Sequence, residues 1–189
     1  MAGTEDYRWT DFEVFYRAHF DSVAGAVFLM LGDREEAFDV TQEAFTRTWL
    51  AWRRVQQHER PEAFPFRVAM NLSKSYLRRL ATFRRLAPRA VEERAGAGPD
   101  AQTDDRLVLA RALRDLSARQ RSAVILCDLA GFTSEEAARI LRSRASTVRV
   151  HLVRARATLR SVLTEYRPGL APETQTHRAR GNPRNQGTG

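Results

Sequence analysis

The sequence predicts an all-α protein of two small helical domains joined by a flexible linker, the second carrying a helix-turn-helix. Three observations predict it. Four segments open with a capping pattern, a short polar residue followed three positions later by Glu or Gln: Thr10 with Glu13, Asp33 with Glu36, Ser117 with Gln120 and Thr133 with Glu136. In that pattern a side-chain oxygen accepts an orphan N–H of the first turn while the third residue reaches back. No stretch alternates polar and apolar residues for long enough to argue for a strand. Between Ala87 and Asp105 the periodicity collapses into "APRAVEERAGAGPDAQTDD", where two prolines, two glycines and scattered charge leave no face to bury.

Taken in order, the caps and apolar periods place helices near 11–31, 34–54, 63–86, 104–116, 118–129, 134–141 and 146–166. The domains are then 10–86 and 104–166, with a linker at 87–103. The tail, 167–189, has almost no large apolar residues and reads as disordered.

The chain's 189 residues, 43% of them hydrophobic, suit one or two modest cores. The apolar runs fall short of a membrane span and no secretion signal opens the chain, so a cytoplasmic protein without membrane insertion is expected. The single cysteine, Cys127, allows neither an internal disulfide nor a cysteine-based zinc site. His19, His58, His151 and His177 are scattered, and no glycine-rich phosphate loop or H-E-x-x-H pair occurs. No catalytic residue, metal or cofactor is expected, and an enzyme is not.

Charge is more informative than size. The formal net charge is +8, and Lys74 is the one lysine among 31 basic residues. Residues 61–90 carry seven basic and one acidic side chains, net +6, and residues 142–167 repeat those counts. Residues 1–60 are net −4 and 91–141 net −2. Two basic segments divided by an acidic one imply two contacts with a polyanion.

The segment "TSEEAARILRSRASTVRVHLVRARATLR" has helix-turn-helix spacing: a capped short helix, a turn of about four residues and a longer second helix. On a wheel of about 100° per residue, Ala145, Val148, Leu152, Ala155 and Leu159 form an inward thread. The opposite side carries Thr147, Val150, Val153 and Arg154, with Ser146 nearby and Arg149, Arg156 and Arg160 on a flank. A mixed face beside an arginine flank suits base edges and phosphates.

These residues carry a resemblance. Leu116 with "RQR" at 119–121, "DLAGFTSEEAARIL" at 128–141, "STVR" at 146–149 and "RARATLR" at 154–160 resemble the −35-reading domain of bacterial sigma factors of the extracytoplasmic-function group. The resemblance implies that Ser146, Thr147, Arg149, Val150, Val153 and Arg154 face −35 duplex DNA. Upstream, "DREEAFDVTQEAFTRTWLAW" resembles the family's D-x-x-Q-E-x-F helix. Asp39, Gln42, Glu43 and Phe45 would then dock on core RNA polymerase, on its β′ coiled coil, with β as the other core contact.

The third piece is "RPEAFPFRVAMNLSKSYLRRLATFRR", 60–85, in which Phe64, Phe66, Tyr76 and Phe83 interleave with cations; at least two of the four rings are expected in the core. It resembles the family's −10 helix, which with the loop before it captures bases of the melted strand. Arg60, Phe64, Asn71, Lys74, Tyr76, Arg78 and Arg79 are the corresponding candidates. The resemblance, spanning about 10–165, implies a promoter-specificity subunit whose partners are core polymerase, promoter DNA in duplex and melted form, and an anti-sigma factor. Five positions depart from the family pattern: Pro65 inside the −10 motif, Cys127 where a phosphate-contacting arginine is usual, Arg142 at a glycine position, Ser143 at an apolar one and Val150 in place of a small polar residue. A polymerase-independent helix-turn-helix regulator and a diverged chain that sequesters polymerase or an anti-sigma factor are the alternative readings.

Overall fold

The computed structural model describes residues 3–86 and 105–166; the predicted linker and tail lie outside the described residues. The helices are α1 (Gly3–Leu31), α2 (Arg34–Leu50), the single turn α3 (Trp52–Val55), α4 (Ala63–Leu86), α5 (Asp105–Arg114), α6 (Ala118–Val124), α7 (Ser134–Leu141) and α8 (Ala145–Tyr166). No strand occurs among the described residues.

Three of the four expected caps form. The Asp33 carboxylate accepts the Glu36 N–H at 3.1 Å, and both arms of the box close at Ser117–Gln120 and Thr133–Glu136. Thr10 is not a cap, because α1 begins at Gly3 and no glycine or proline between Thr4 and Ala24 interrupts it. The predicted 34–54 helix breaks at Ala51, and 118–129 is not uniformly α-helical. Its last turn, Ile125–Leu129, is π-helical, closed by the Ala130 N–H on the Ile125 carbonyl at 2.9 Å. Gly131 follows at φ 73° and turns the chain so that Phe132 drops into the core ahead of the Thr133 cap.

Helices α1, α2 and α4 pack around Val23, Val27, Met30, Ala44, Phe45, Val55, Ala69 and Met70, all at or near zero exposure. By length and composition Asp11–Leu31 is apolar enough to cross a membrane, with a mean hydropathy of 1.2, contrary to the expectation that no run reaches that mark. Its apolar face is instead taken up by the bundle, where Phe12 and Phe15 meet Trp52 at ring-centroid distances of 5.3 and 4.8 Å.

The two predicted domains pack against one another. One hydrophobic core runs through both, joining Met30 and Phe66 to Ile125, Leu126 and Phe132. Phe66 meets Phe132 edge-on at 5.1 Å. Helix α4 packs on α7, and α1 packs on α5 and on the π turn.

Candidate nucleic-acid and protein interfaces

Helix α8 is set by the turn that precedes it. Arg142 sits in the left-handed region at φ 51° and ψ 53°, as its replacement of a glycine implied. The Ser143 N–H bonds the Ala138 carbonyl at 2.9 Å and the Arg142 N–H bonds the Arg139 carbonyl at 3.4 Å, a Schellman closure. A non-glycine residue there costs about 1 kcal/mol or more. Ser143 is exposed, so no core plug is needed at that position.

The inward thread of α8 is as expected: Val148, Leu152, Ala155 and Leu159 are buried and Ala145 is half-buried. Ser146, Thr147, Arg149, Val150, Val153 and Arg154 are all exposed on its outer side. Arg149 pairs with Glu135 of α7 at 2.7 Å, and Arg156 grips Asp128 with two bonds of 2.5 and 3.0 Å. These pairs orient the flanking guanidinium groups while both side chains of the first pair remain more than half exposed. Half-buried His151 has a lowered pKa, through burial first and then the nearby Arg119 and Arg154. Cys127 is half-buried in the π turn, and burial with neighbouring Asp128 raises its thiol pKa, as suits a small packed hydrophobe.

On α2, Asp39 and Glu43 are exposed and Gln42 half-exposed, sharing a side at i, i+3 and i+4. Glu43 pairs with Arg47 at 2.6 Å. Phe45 does not join them. It is 2% exposed and packed among Phe15, Tyr16 and Phe20, so it holds α2 on α1.

The −10 candidates divide. Asn71, Arg78 and Arg79 are exposed, and Phe64 and Tyr76 half-buried. Arg67 and Arg54 lie over the Phe64 ring at 4.8 and 6.0 Å. Of the four interleaved rings Phe66 is fully buried and Phe64 packs half-buried against the same core, so two rings side with the core as expected. Pro65 falls within the first turn of α4, where a missing N–H costs no bond. Arg60 and Lys74 face the second domain. Arg60 bonds Glu62, reaches Glu136 at 2.8 Å and lies 5.1 Å above the Phe132 ring. Lys74 is half-buried, and burial, Arg119 and Arg78 push its pKa down.

Arg121 draws no role from the sequence beyond its place in "RQR". It is buried and spends its guanidinium on four main-chain oxygens: Leu113 at 2.8 Å, Met30 at 2.6 Å, Arg114 at 3.1 Å and Leu116 at 3.2 Å. Those carbonyls end α5 and α1, where helices leave acceptors unpaired and partly negative. In the sequence the one signal for Arg121 is the match of "RQR" with Leu116 to the family motif.

Two family models match this architecture: "Sigma-70 region 2" over residues 15–83 and "Sigma-70, region 4" over 106–159. The RNA polymerase sigma-E factor of Streptomyces coelicolor is 30% identical over 156 residues, covering 81% of this chain and 86% of the relative.

The chain belongs to the sigma-70 family, in its extracytoplasmic-function group.

The ECF RNA polymerase sigma factor SigE of Mycolicibacterium smegmatis is 32% identical to this sigma factor over 158 residues. That match covers 79% of the chain but 60% of the longer relative. Among solved structures, the fold matches the sigma factor RpoE in complex with the anti-sigma factor NepR from Bartonella quintana. The TM-score is 0.66 at 23% identity, over 82% of this chain and 97% of that one. CnrH in complex with the cytosolic domain of CnrY matches with a TM-score of 0.58 at 22% identity, over 82% and 88%. Sigma factors are promoter-specificity subunits, and the partners of this one are core RNA polymerase and promoter DNA. A regulator that works without polymerase is thereby set aside.

Proposed function

We propose that residues 10–86 of this sigma factor bind core polymerase and open the −10 region, while 104–166 bind the −35 duplex. The observation that carries the reading is the outer face of α8: all six −35 candidates point to solvent, opposite a closed apolar thread, in a segment of net charge +6. Asp39, Gln42 and Glu43 supply the polymerase contact. Arg60, Phe64, Asn71, Lys74, Tyr76, Arg78 and Arg79 attend the melted −10 strand, the rings stacking on bases and the cations following phosphates. The protein works in the cytoplasm and carries no chemistry of its own.

Elements centred at −10 and −35 lie roughly 85 Å apart at about 3.4 Å per base pair. A chain in which Phe66 touches Phe132 cannot reach both. The domains therefore part on the promoter, releasing Arg60 from Glu136, and the packed arrangement is the resting one. Lys74 opposite Arg119 favours that release by like charge. An anti-sigma factor is a fitting partner for the resting form.

The test is transcription in vitro, with the protein added to sigma-free core polymerase and fragmented genomic DNA and the 5′ ends mapped. Discrete starts with shared −10 and −35 sequences are expected. Co-purification with polymerase but no starts would favour a sequestering protein instead.

A further inference from the structure

The sigma factor presents two large apolar side chains where a basic helix has no structural use for them. Val150 is 46% exposed and Val153 69%, on the outer side of α8. The inward thread is already complete in Val148, Leu152, Ala155 and Leu159. Helix formation does not call for valine either, since β-branching lowers its propensity there. The surroundings are mainly cationic: Arg142, Arg144, Arg149, Arg154, Arg156 and Arg160 lie on this stretch, with no acidic residue between Arg142 and Thr164. Glu135 and Asp128 from outside it pair with Arg149 and Arg156. Such a face repels a basic partner and draws a polyanion, which makes duplex DNA its occupant.

On the major-groove floor one group is apolar, the C5-methyl of thymine. We infer that Val150 and Val153 read thymine methyl groups in the −35 element, an assignment that rests on the proposed role of α8. The valine side chain is short and nearly fixed at χ1, so it selects by contact at close approach rather than by reach. The pair stands at i and i+3, about 4.5 Å along the helix axis against about 3.4 Å per base step. Their targets therefore fall on the same or neighbouring base pairs, on either strand. Thr147 and Arg154 flank the pair at i−3 and i+4, offering a hydroxyl and a guanidinium to adjoining base edges.

The experiment removes only the methyl groups. Promoter fragments defined by transcription mapping are made with each thymine of the −35 element replaced in turn by deoxyuridine, which keeps every hydrogen-bonding group. Binding of the full-length protein is then compared with that of the V150A/V153A variant. The expected result is a loss of about fourfold at each of one or two positions for the natural protein, near the transfer value of one buried methyl. The variant binds the thymine site about as weakly as the natural protein binds the uracil site, and is indifferent to the replacement. Its salt slope stays unchanged and its melting temperature does not fall, since both valines are exposed and neutral and alanine is the better helix former. Uracil binding as well as thymine at every −35 position, with transcription intact, overturns the inference and leaves the role of α8 standing. A double variant that binds DNA normally but loses a protein partner overturns it too. If the chain directs no promoter-specific starts, the role proposed for α8 falls and this inference with it.

Discussion

The Arg121 guanidinium donates from Nη1 to the main-chain oxygen of Met30 at 2.6 Å, joining the second helix of region 4 to the last turn of the first helix of region 2. The same group closes the end of α5 through Leu113, Arg114 and Leu116. Nearby, Arg114 donates to the Gly32 carbonyl at 3.1 Å, and the Ser122 hydroxyl lies 3.7 Å from the Met30 sulfur. Asp115 lies near enough to act on the Arg121 cation through space, but the cation's hydrogen bonds go to main-chain carbonyls, whose dipoles at two helix ends help to balance it.

Replacing Arg121 by methionine keeps the apolar stem and orphans those oxygens. A cost of about 2–4 kcal/mol is expected, because buried acceptors lose their partners without gaining water. Arg121→Lys recovers part of it, since one ammonium cannot span both helix ends. Urea unfolding followed by circular dichroism measures both; a midpoint unchanged in R121M would show the fork to be dispensable.

Arg142→Gly is expected to stabilise the protein by about 1 kcal/mol, raising Tm by about 2–4 °C for a chain of this size. The gain is conformational, so Arg142→Ala, which keeps a Cβ at φ 51°, gives no such rise. A thermal melt of the three proteins separates the strain from the loss of the charge.

Helix positions were legible because the caps at Asp33, Ser117 and Thr133 and the thread from Ala145 to Leu159 are local, written at fixed spacings of three and four. The outer face of α8 was legible for the same reason. The Ala51 break and the π turn were not, since each answers to packing around it. The joining of the two domains was also hidden. Phe66, Arg60 and Lys74 sit in a segment that reads as a nucleic-acid surface, and nothing local says that Phe132, Glu136 and Arg119 stand opposite. Phe45 shows the converse: a motif position read as contact surface is held inside by Phe15, Tyr16 and Phe20.

Glu136 links stability to acid. Its carboxylate accepts from the Thr133 N–H at 2.8 Å and from the Thr133 hydroxyl, and meets Arg60. The Thr133 backbone bond, ahead of the Thr133 hydroxyl, Arg60 and Arg139, lowers its pKa below the usual carboxylate value of about 4.5. A depressed pKa means that the contribution is complete above about 4.5 and drains away as pH falls through the lower folded value. Unfolding midpoints at pH 6 and pH 4 should therefore differ by less in Glu136→Gln than in the natural protein, other carboxylates contributing equally to both. An identical acid response in the two would remove Glu136 from the account.

Glu135 restrains Arg149 at the surface, so the two should act oppositely on DNA. Arg149→Ala and Arg154→Ala are each expected to weaken promoter binding and, where they meet phosphate, to reduce the salt slope by about one. Glu135→Ala frees Arg149 and removes a like charge from the groove, and should tighten binding a few-fold at low salt. Binding isotherms across a salt series decide this; Arg149 and Arg154 variants with natural affinity and slope would remove α8 from the groove.

Opening of the domains can be tested by preventing it. Glu62 and Glu136 both pair with Arg60, so their side chains lie within one guanidinium's span of each other across the interface. Cysteines placed at both positions in a C127S background can be joined by a short bis-maleimide that contains a reducible bond. If −10 and −35 elements about 85 Å apart must be held at once, the joined protein starts no transcripts from its promoter. Reduction frees the same molecules, and activity returns to that of the uncrosslinked double variant, which excludes damage from the substitutions themselves. Binding of an isolated −35 duplex should survive the crosslink, because Ser146, Thr147, Val150, Val153 and Arg154 stay exposed while the domains are packed. Full transcription from the joined form would mean that the interface between Phe66 and Phe132 persists on the promoter and that the two elements are bound without separation.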